Sequence, residues 1–264
     1  MLDAITPLIL TLDEEANLER VLAPLSWAHE IVVVDSGSTD GTRTVCERHA
    51  NVRFIVHPFT THAEQWNFGL GEAGIRTDWV LALDADYVLS DELVAELRAL
   101  SPSSDVVGYR AEFRYRVLGR TLRGALYPPV VVLYRRAGAR YVQDGHTQRV
   151  EVNGSVEALR SPIFHDDRKP LARWLAAQIR YARIEADHLD GRPWAELGWP
   201  DRLRKCLFVA PPLAPVYCLI VRGGIFDGWP GLHYALQRAV AEAILSLMLI
   251  ERKLMRSDHP RASR

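Results

Sequence analysis

Residues 78–86 read Asp78-Trp79-Val80-Leu81-Ala82-Leu83-Asp84-Ala85-Asp86, a short apolar run that ends in two carboxylates separated by one small residue. Such a run predicts a strand buried on both faces of a parallel sheet, and open α/β sheets bind ligands at the carboxyl ends of these strands. We expect the two acids to project in different directions, so that one faces a metal ion and the other faces another part of the same ligand. The alternative is that they only begin a turn and cap the helix that opens at Ser90.

The whole chain has the composition of an ordinary folded protein. Its 264 residues suffice for one large α/β domain with an appendage or for two small domains. The net charge of -1 gives no overall attraction to nucleic acid, so we expect no nucleic-acid partner. The three cysteines have no C-x-x-C spacing, which argues against a disulfide framework and a zinc site and favours a reducing cytoplasm.

No segment predicts a signal peptide or a membrane-spanning helix. The N-terminus lacks a basic segment followed by an apolar one, so we expect no secretory signal. The longest apolar run, residues 206–221, contains three prolines and is too short for a comfortable span.

Strand-like and helix-like patterns alternate through the first hundred residues. Strands are predicted at residues 8–12, 30–35, 52–57 and 79–83, with helical patterns between them. This alternation is typical of a doubly wound, mostly parallel sheet with helices on both faces. Further along, residues 106–117 and 129–135 predict longer strands of an antiparallel or mixed region, and residues 170–189 predict a long amphipathic helix.

The predicted topology brings three carboxylates to one edge of the sheet. Asp35 ends the second strand as Asp84 and Asp86 end the fourth. A carboxylate at this edge suits hydrogen bonding to a base or ribose, and the loop of residues 36–42 offers hydroxyls such as that of Ser38. Ser38 also suits the plainer role of capping the next helix.

The Asp84-Ala85-Asp86 motif predicts a site for a divalent cation. Mg²⁺ or Mn²⁺ prefers oxygen ligands and is held by one or two carboxylates together with substrate phosphates. Such an ion would neutralise the charge that builds on a departing diphosphate.

Four motifs, in this order and spacing, resemble those of family 2 glycosyltransferases, which have the nucleotide-sugar transferase fold called GT-A. Within that family, the chain is similar to small bacterial enzymes related to lipopolysaccharide core β-glucosyltransferases. The resemblance covers about the first hundred residues well and the remainder more loosely. It is carried by Thr11-Leu12-Asp13-Glu14-Glu15, Ile31 to Asp40, Ala63-Glu64-Gln65-Trp66-Asn67 and Leu83-Asp84-Ala85-Asp86.

The resemblance implies an α/β, Rossmann-like GT-A fold and a set of donor-binding residues. Asp86 would bind the metal, and Asp84 would sit near the ribose. The donor site as a whole would comprise Thr11, Glu14, Asp35, Ser38, Gln65, Asn67, Asp84 and Ala85. Family members often have Lys-Asn where this chain has Leu12-Asp13; we expect the helix start to survive, since Asp caps helices about as well as Asn.

Inverting transfer in this family requires one base that deprotonates the acceptor hydroxyl. The best stretch is residues 143–149, where Asp144 precedes a glycine turn and is the expected base; Glu151 and His146 are the alternatives. The plainer role for Asp144 is that of a turn residue before Gly145. Enzymes of this fold also often supply a late histidine to the metal, which makes His165 a candidate ligand. A lone histidine is otherwise more often structural.

The C-terminal region predicts membrane contact. Basic residues at 202–205 precede the proline-broken apolar run, and the apolar stretch 243–250 is followed by Glu251-Arg252-Lys253. This pattern favours helices in the membrane interface. The alternative is that both segments pack on the catalytic domain or at a dimer contact.

Together these features predict a donor-binding half at residues 1–105, an acceptor-side half at 106–168 and a helical, membrane-interface region at 169–264. We expect a metal-dependent inverting glycosyltransferase at the inner face of the cytoplasmic membrane. It would move a sugar from a nucleotide diphosphate donor to a glycan or lipid-linked acceptor. The resemblance favours UDP-glucose as the donor. The alternatives are a polyprenyl-phosphate sugar transferase, which needs no base, and a non-catalytic nucleotide-sugar-binding scaffold. The oligomeric state is left open.

Overall fold

The apolar run at residues 79–83 becomes an inner strand of a seven-stranded sheet. This computed structural model describes residues 1–144 and 147–257, and for Asp144, Thr147 and Ser257 it describes the backbone alone. The strands of the described residues are β1 (Ile5–Thr11), β2 (Ile31–Asp35), β3 (Val52–Val56), β4 (Trp79–Asp84), β5 (Tyr87–Leu89), β6 (Val106–Ala111), β7 (Phe113–Val117), β8 (Arg120–Thr121), β9 (Val130–Arg135), β10 (Arg140–Asp144), β11 (Thr147–Glu151), β12 (Ser155–Ala158) and β13 (Ile163–His165).

The large sheet has the strand order β12-β6-β9-β4-β1-β2-β3. Strand β1 pairs in parallel with both β2 and β4, and β2 pairs in parallel with β3. Strand β9 lies antiparallel between β4 and β6. The expected α/β class with a mostly parallel central sheet is therefore confirmed, and the antiparallel region falls after residue 105, as the sequence predicts.

Two smaller sheets complete the strand pairing. Strands β10 and β11 form an antiparallel hairpin, and a four-stranded sheet has the order β5-β13-β7-β8. In the second of these, His165 of β13 lies opposite Tyr87 of β5 and Tyr115 of β7. This pairing brings residues 163–165 next to the segment that follows the Asp84-Ala85-Asp86 motif.

Helices follow most of the parallel strands, and the helices His62–Gly71 and Asp91–Ala99 begin at side-chain caps. Thr61 accepts a hydrogen bond from the Glu64 amide, and Ser90 accepts one from the Leu93 amide, so each hydroxyl satisfies a helix-end donor. The α-helices of the described residues are α1 (Glu15–Leu22), α2 (Thr42–Glu47), α3 (His62–Gly71), α4 (Asp91–Ala99), α5 (Leu171–Gly191), α6 (Trp199–Lys205), α7 (Ala210–Val216) and α8 (Trp229–Ser257).

The parallel strands are buried on both faces. Ile9, Val33 and Leu83 belong to one hydrophobic cluster, whereas Leu8 and Val32 belong to another. Alternate residues of a strand point to opposite faces, so the two clusters lie on the two sides of the sheet. This explains why these strands are continuous apolar runs in the sequence.

The chain divides into two compact units. The first comprises Met1–Thr121 with Tyr127–Lys169, and the second comprises Leu122–Leu126 with Pro170–Arg264. The further division of the first unit at residue 105 stays a prediction.

The second unit has its own apolar core between α5 and α8. Ala186, Leu189, Leu245 and Leu249 are among its buried members. Arg204 is bound to Glu242 and Glu185 at its periphery. No helix among residues 1–144 and 147–257 is both long and apolar enough to cross a membrane.

Candidate active site

Three strand ends meet at the carboxyl edge of the parallel sheet. In the register of the sheet, Thr11 lies opposite Asp35 and Leu10 lies opposite Asp84. The Thr11 hydroxyl donates a 2.7 Å hydrogen bond to Asp35 Oδ1. The predicted common edge for the acids that end β2 and β4 is therefore confirmed.

Asp35 fixes the loop that follows β2. Its carboxylate is buried and accepts hydrogen bonds from the Gly37 amide at 2.9 Å, the Ser38 amide at 2.7 Å and the Ser38 hydroxyl at 2.5 Å. The Asp13 amide in turn donates to Ser38 Oγ at 2.6 Å. Asp35 and Ser38 thus tie the loops after β1 and β2 together, which is a positioning task in addition to their expected place in the donor pocket.

Asp13 does not cap the first helix. Helix α1 begins after Glu14, and Asp13 itself adopts a positive φ of 53°. The Asp13 carboxylate accepts a 2.7 Å hydrogen bond from the Thr39 amide. The helix start survives as expected, but the reason is the interlock of two loops rather than an Asp cap.

Gln65 and Asn67 hold other segments in place. Gln65 is fully buried; its amide nitrogen donates to Ser36 Oγ, and its amide oxygen lies 2.9 Å from His57 Nδ1. Asn67 exchanges two hydrogen bonds with the backbone of Tyr141 in β10. Gln65 thus supports the loop after β2, and Asn67 anchors the β10–β11 hairpin. Their expected place in the donor site stays a prediction.

Asp84 lies in a poorly hydrated corner beside two tyrosines. Burial raises the pKa of Asp84 to about 6, with a further contribution from Asp86, whereas a hydrogen bond from Tyr87 opposes the rise. The Tyr87 and Tyr127 hydroxyls are also hydrogen-bonded to each other. The network keeps the Asp84 side chain at the sheet edge in a fixed orientation.

Asp86 and His165 face each other across the end of β13. His165 Nε2 lies 3.6 Å from Asp86 Oδ2, and their side chains are only 15% and 14% exposed. Asp86 Oδ1 and His165 Nδ1 are buried without a hydrogen-bond partner. Ala85 between the two acids is buried and offers only its backbone. The Asp166 amide donates to the Asp86 carbonyl, which fixes the two chain segments together.

A group of polar residues after His165 completes this edge and was missed in the sequence. Lys169 Nζ donates to Glu14 Oε1 at 2.7 Å. The side chain of Asn17 is fully buried. Its amide nitrogen Nδ2 donates to Glu14 Oε2 at 2.9 Å and to Asp167 Oδ1 at 2.8 Å. The signal available was the charged run Asp166-Asp167-Arg168-Lys169 between a strand and a helix, which is denser in charge than a simple connection requires.

Charges at this edge repel one another. Burial raises the pKa of Glu14 to about 7, and Asp86 adds to the rise while Lys169 opposes it. Burial works to lower the pKa of Lys169, but Glu14, Asp86 and Asp167 together raise it above the usual lysine value. Glu14, Asp86, Asp167 and Lys169 therefore form one electrostatic group.

The candidate bases lie on the β10–β11 hairpin. Asp144 ends β10 and pairs with Thr147 across the turn, and its side chain is outside the described part of the structure, as is the whole of His146. Glu151 pairs with Arg140 at the other end of the hairpin and binds Arg149 at 3.0 Å. It is about 13 Å along the strand from the turn, so the structure separates this alternative from Asp144.

Part of the chain matches a known protein family. Residues 8–129 match the model of Glycosyl transferase family 2. This part of the chain is similar to family 2 glycosyltransferases. The mixed α/β architecture with its mostly parallel central sheet agrees with the GT-A fold that the resemblance implies.

Full-length similarity extends beyond these matched residues. The chain is 28% identical over 268 residues to the lipopolysaccharide core biosynthesis glycosyltransferase LpsC of Rhizobium meliloti (strain 1021), covering 94% of this chain and 93% of LpsC. It is 34% identical over 108 residues to an uncharacterized glycosyltransferase of Rickettsia bellii (strain RML369-C), covering 40% of this chain and 36% of that protein.

Two solved structures are also similar to this chain. S. aureus TarS 1-349 in complex with UDP-GlcNAc is 14% identical, covers 96% of this chain and 92% of its own, and gives a TM-score of 0.48. Glucosyl-3-phosphoglycerate synthase from Mycobacterium tuberculosis, in complex with Mn²⁺, UDP and phosphoglyceric acid, is 18% identical, covers 74% and 81%, and gives a TM-score of 0.49.

The residues at the edge of the sheet fit a divalent cation with few protein ligands. Within residues 1–144 and 147–257, no three His, Cys, Asp or Glu side chains are grouped as a complete metal site. Asp86 and His165 nevertheless present a carboxylate and an imidazole, and each has a buried polar atom that lacks a partner. One carboxylate, one imidazole and the oxygens of a bound diphosphate form a reasonable ligand set for Mn²⁺ or Mg²⁺.

The raised pKa of Asp84 predicts a pH-dependent effect of Asp84→Asn. The fold favours the protonated carboxyl, so this contribution to stability is complete below the unfolded value of 3.8 and is lost as pH rises through about 6. Without metal, we expect the variant to exceed the wild type in free energy of unfolding by about 1–3 kcal/mol at pH 8 and to equal it at pH 4.

Urea unfolding at the two pH values, with EDTA present, measures this difference. Asp78→Asn is the matched control, because Asp78 is exposed just before β4 begins, at the other end of the same strand. A gain for Asp84→Asn that is the same at pH 4 and pH 8 would show that the charge of Asp84 is not its cause.

Proposed function

We propose that this chain is a metal-dependent, inverting hexosyltransferase of lipopolysaccharide core or related cell-envelope synthesis. It transfers a sugar from a nucleotide diphosphate, with UDP-glucose the first donor to test, to a glycan or lipid-linked acceptor. The family supports the reaction class. The similarity to LpsC along nearly the whole chain supports the acceptor class.

One observation carries the donor part of the proposal. Asp86 and His165 converge within 3.6 Å at the carboxyl edge of the sheet, where each keeps a buried polar atom without a partner. Buried polar atoms in native proteins nearly always have partners. Two exceptions at the edge where such sheets bind ligands therefore support a ligand-binding role for Asp86 and His165.

The chain's own residues have separate tasks in this proposal. Asp86 and His165 hold the cation, which when bound neutralises charge on the diphosphate. Thr11, Glu14 and Asp35 line the pocket of the base and ribose, and Asp84 faces the ribose. Ser38 and Ala85 shape the same pocket through the loop after β2 and the backbone between the two acids.

Metal-assisted nucleotide binding tests the donor site. In a thermal-shift screen of UDP, GDP and dTDP with and without Mn²⁺, we expect one nucleotide to stabilise the wild type most in the presence of Mn²⁺. At one hundred times its Kd, a ligand stabilises the folded state by about 2.7 kcal/mol. Asp86→Asn is expected to lose the Mn²⁺-dependent part of the shift, because it removes the charged ligand.

Asp78→Asn serves as the control, since it removes an exposed carboxylate at the opposite end of β4. A Mn²⁺-dependent shift that survives in Asp86→Asn would remove Asp86 from the metal site. A wild type that binds none of the three nucleotides would contradict the proposed donor class.

Asp144 is proposed as the base on the acceptor side. It ends β10, a strand that Asn67 fixes through two hydrogen bonds to Tyr141. A base must lie close to the acceptor hydroxyl, and a turn anchored through its strand is a suitable support for such a group. The acceptor oxygen loses its proton to this carboxylate as it forms the bond to the sugar.

Replacing this base should slow transfer without weakening donor binding. We expect Asp144→Asn to lower kcat by about 10²–10⁴-fold, with the affinity for the nucleotide unchanged. Glu151→Gln, at the far end of the hairpin, is the matched control. An unchanged rate in Asp144→Asn would favour the polyprenyl-phosphate transferase, whose acceptor is already ionised; nucleotide binding with no turnover in the wild type would favour the scaffold.

We propose peripheral membrane association through the exposed apolar segment, residues 199–229. Its large side chains are exposed, with Phe208 and Phe226 each at 76% and Trp229 at 82%. Other exposed members are Trp199, Val209, Leu213, Val216, Tyr217, Ile220, Val221 and Ile225. Monomeric soluble proteins rarely expose so many large apolar residues close together in the chain.

The charges beside this segment favour an anionic membrane. Arg202 and Lys205 of α6 bind only backbone carbonyls of neighbouring residues in the hydrogen bonds that the structure records, so their charges have no acidic partner in those bonds. Basic residues beside apolar, non-spanning helices are typical of interfacial segments. In the apolar stretch at residues 243–250, Leu245 and Leu249 lie in the core of the second unit, which agrees with the packing alternative for these two residues.

Vesicle flotation tests this association. We expect the wild type to float with phosphatidylglycerol–phosphatidylcholine vesicles, and less so in high salt. The triple variant Phe208→Ser, Phe226→Ser, Trp229→Ser should bind at least about tenfold more weakly, because each side chain loses its apolar transfer free energy.

Val56→Ser, Phe59→Ser and Leu118→Ser together form the control, because these three apolar residues are exposed on the first unit. Equal flotation of the wild type and the first triple variant would show that residues 199–229 are not the membrane-binding surface.

A further inference from the structure

The first unit contains one lysine in its sequence, Lys169, which is also the last residue of that unit. The other two lysines of the chain, Lys205 and Lys253, belong to the second unit. The Lys169 side chain is 19% exposed, and its Nζ lies 2.7 Å from Glu14 Oε1 and 3.6 Å from Asp167 Oδ1. A lysine so far removed from water has a specific electrostatic task, because burying a charge without one is costly.

The position of Lys169 is fixed from several sides. Its backbone amide donates to Asp167 Oδ1 at 3.0 Å, and the same oxygen accepts from Asn17. The Arg168 amide donates to Asn17 Oδ1 at 2.8 Å. Helix α1 and the segment after β13 therefore hold the ammonium together, which reduces the entropy that a ligand would otherwise lose in ordering it.

Nearby arginines serve another acid. Arg168 binds both carboxylate oxygens of Asp166 at 2.9 Å, and Arg20 Nε lies 3.9 Å from the same carboxylate. Lys169, by contrast, interacts electrostatically with Glu14, Asp86 and Asp167. Arg20 also interacts electrostatically with Asp167 and Asp86, but less than with Asp166. Lys169 is the cation whose side chain is hydrogen-bonded to an acid of the proposed donor site, Glu14.

A nucleoside diphosphate would add negative charge to an edge that already carries Glu14, Asp84, Asp86 and Asp167. Repulsion of this kind weakens binding unless a cation lies close to the phosphates. A lysine ammonium has three N–H donors, and the hydrogen bond to Glu14 uses one of them. Lysine binds phosphate as a point charge, so it needs no change of shape at the site.

We propose that Lys169 is a catalytic residue that binds the diphosphate of the donor and stabilises the departing nucleoside diphosphate. The assignment rests on the proposed nucleotide-sugar donor. In the reaction, the bond from sugar C1 to the β-phosphate oxygen breaks and its electron pair stays on that oxygen. The acceptor oxygen forms the new bond to C1, and its proton goes to the base. Lys169 keeps its own proton and stabilises the added charge through a hydrogen bond.

Ligands that differ only in phosphate number test this assignment. Isothermal titration calorimetry of uridine, UMP and UDP gives an affinity ratio of UDP to uridine for each variant; the guanosine or thymidine series replaces it if the screen ranks that base first. We expect Lys169→Gln to lower this ratio by about tenfold to a hundredfold, because a charge-assisted hydrogen bond is lost. Lys169→Arg should retain most of the ratio, and Lys253→Gln, an exposed lysine of α8, should leave it unchanged.

A double variant separates phosphate binding from support of Glu14. Glu14→Gln with Lys169→Gln removes both charges of the pair, so it should fold even if the single lysine variant does not. The proposal predicts that the double variant keeps the low UDP-to-uridine ratio. A ratio restored to the wild-type value, or an equal loss of affinity for all three ligands in Lys169→Gln, would overturn it and leave Lys169 as a structural partner of Glu14.

The proposed function fails by a different result. If the wild type binds no nucleoside diphosphate, both proposals are wrong. If it binds UDP more tightly than uridine and Lys169→Gln does the same by the same factor, only the assignment of Lys169 is wrong.

Discussion

The parallel pairing of β1 with both β2 and β4 is the constraint on which the site depends. It sets Thr11 beside Asp35 and Leu10 beside Asp84, so that side chains far apart in the sequence end at one edge. Strands buried on both faces leave only their ends for polar groups, and the acids therefore gather there. The apolar interior of the sheet and the charged edge are two results of the same pairing.

Gathering acids at one edge weakens the fold unless other groups offset their repulsion. Burial and Asp86 raise the pKa values of both Glu14 and Asp84, which shows that ionisation of these groups opposes folding. Asn17 and Lys169 reduce this cost through hydrogen bonds to Glu14 and Asp167. A cation or a basic group near a diphosphate would reduce it further, so ligand binding and stability are coupled at this edge.

Much of this arrangement is predictable from local patterns. The apolar runs at residues 79–83 and 31–34 indicate buried strands, and the acids that follow them indicate the binding edge, because parallel topology makes strand ends coincide. Contacts between distant segments leave no such pattern. The hydrogen bond between Asn17 and Asp167 joins residues 150 positions apart. The pairing of β13 with β5 and β7 places the segment after β13 at this edge.

The same limit explains the residues whose surroundings differ from expectation. Gln65 and Asn67 share a motif with the donor site, yet the motif does not specify which way α3 turns them, and the structure bonds them to Ser36, His57 and Tyr141. Glu151 and Asp144 are close in sequence, but the hairpin register places them at opposite ends of paired strands. A hairpin turn separates neighbours that a linear motif treats as equivalent.

The apolar residues of the second unit divide into a buried core and an exposed segment, and backbone contacts at glycines accompany the exposed one. A Cβ at Gly231 would lie 1.9 Å from the Gly224 carbonyl oxygen, and one at Gly124 would lie 2.8 Å from the Cys218 carbonyl oxygen. These glycines let the segment before α8 lie directly on neighbouring backbone. Its larger side chains, such as that of Phe226, are exposed. Helix α8 instead buries Leu245 and Leu249 against α5. Helical periodicity cannot distinguish these cases, since both stretches are apolar.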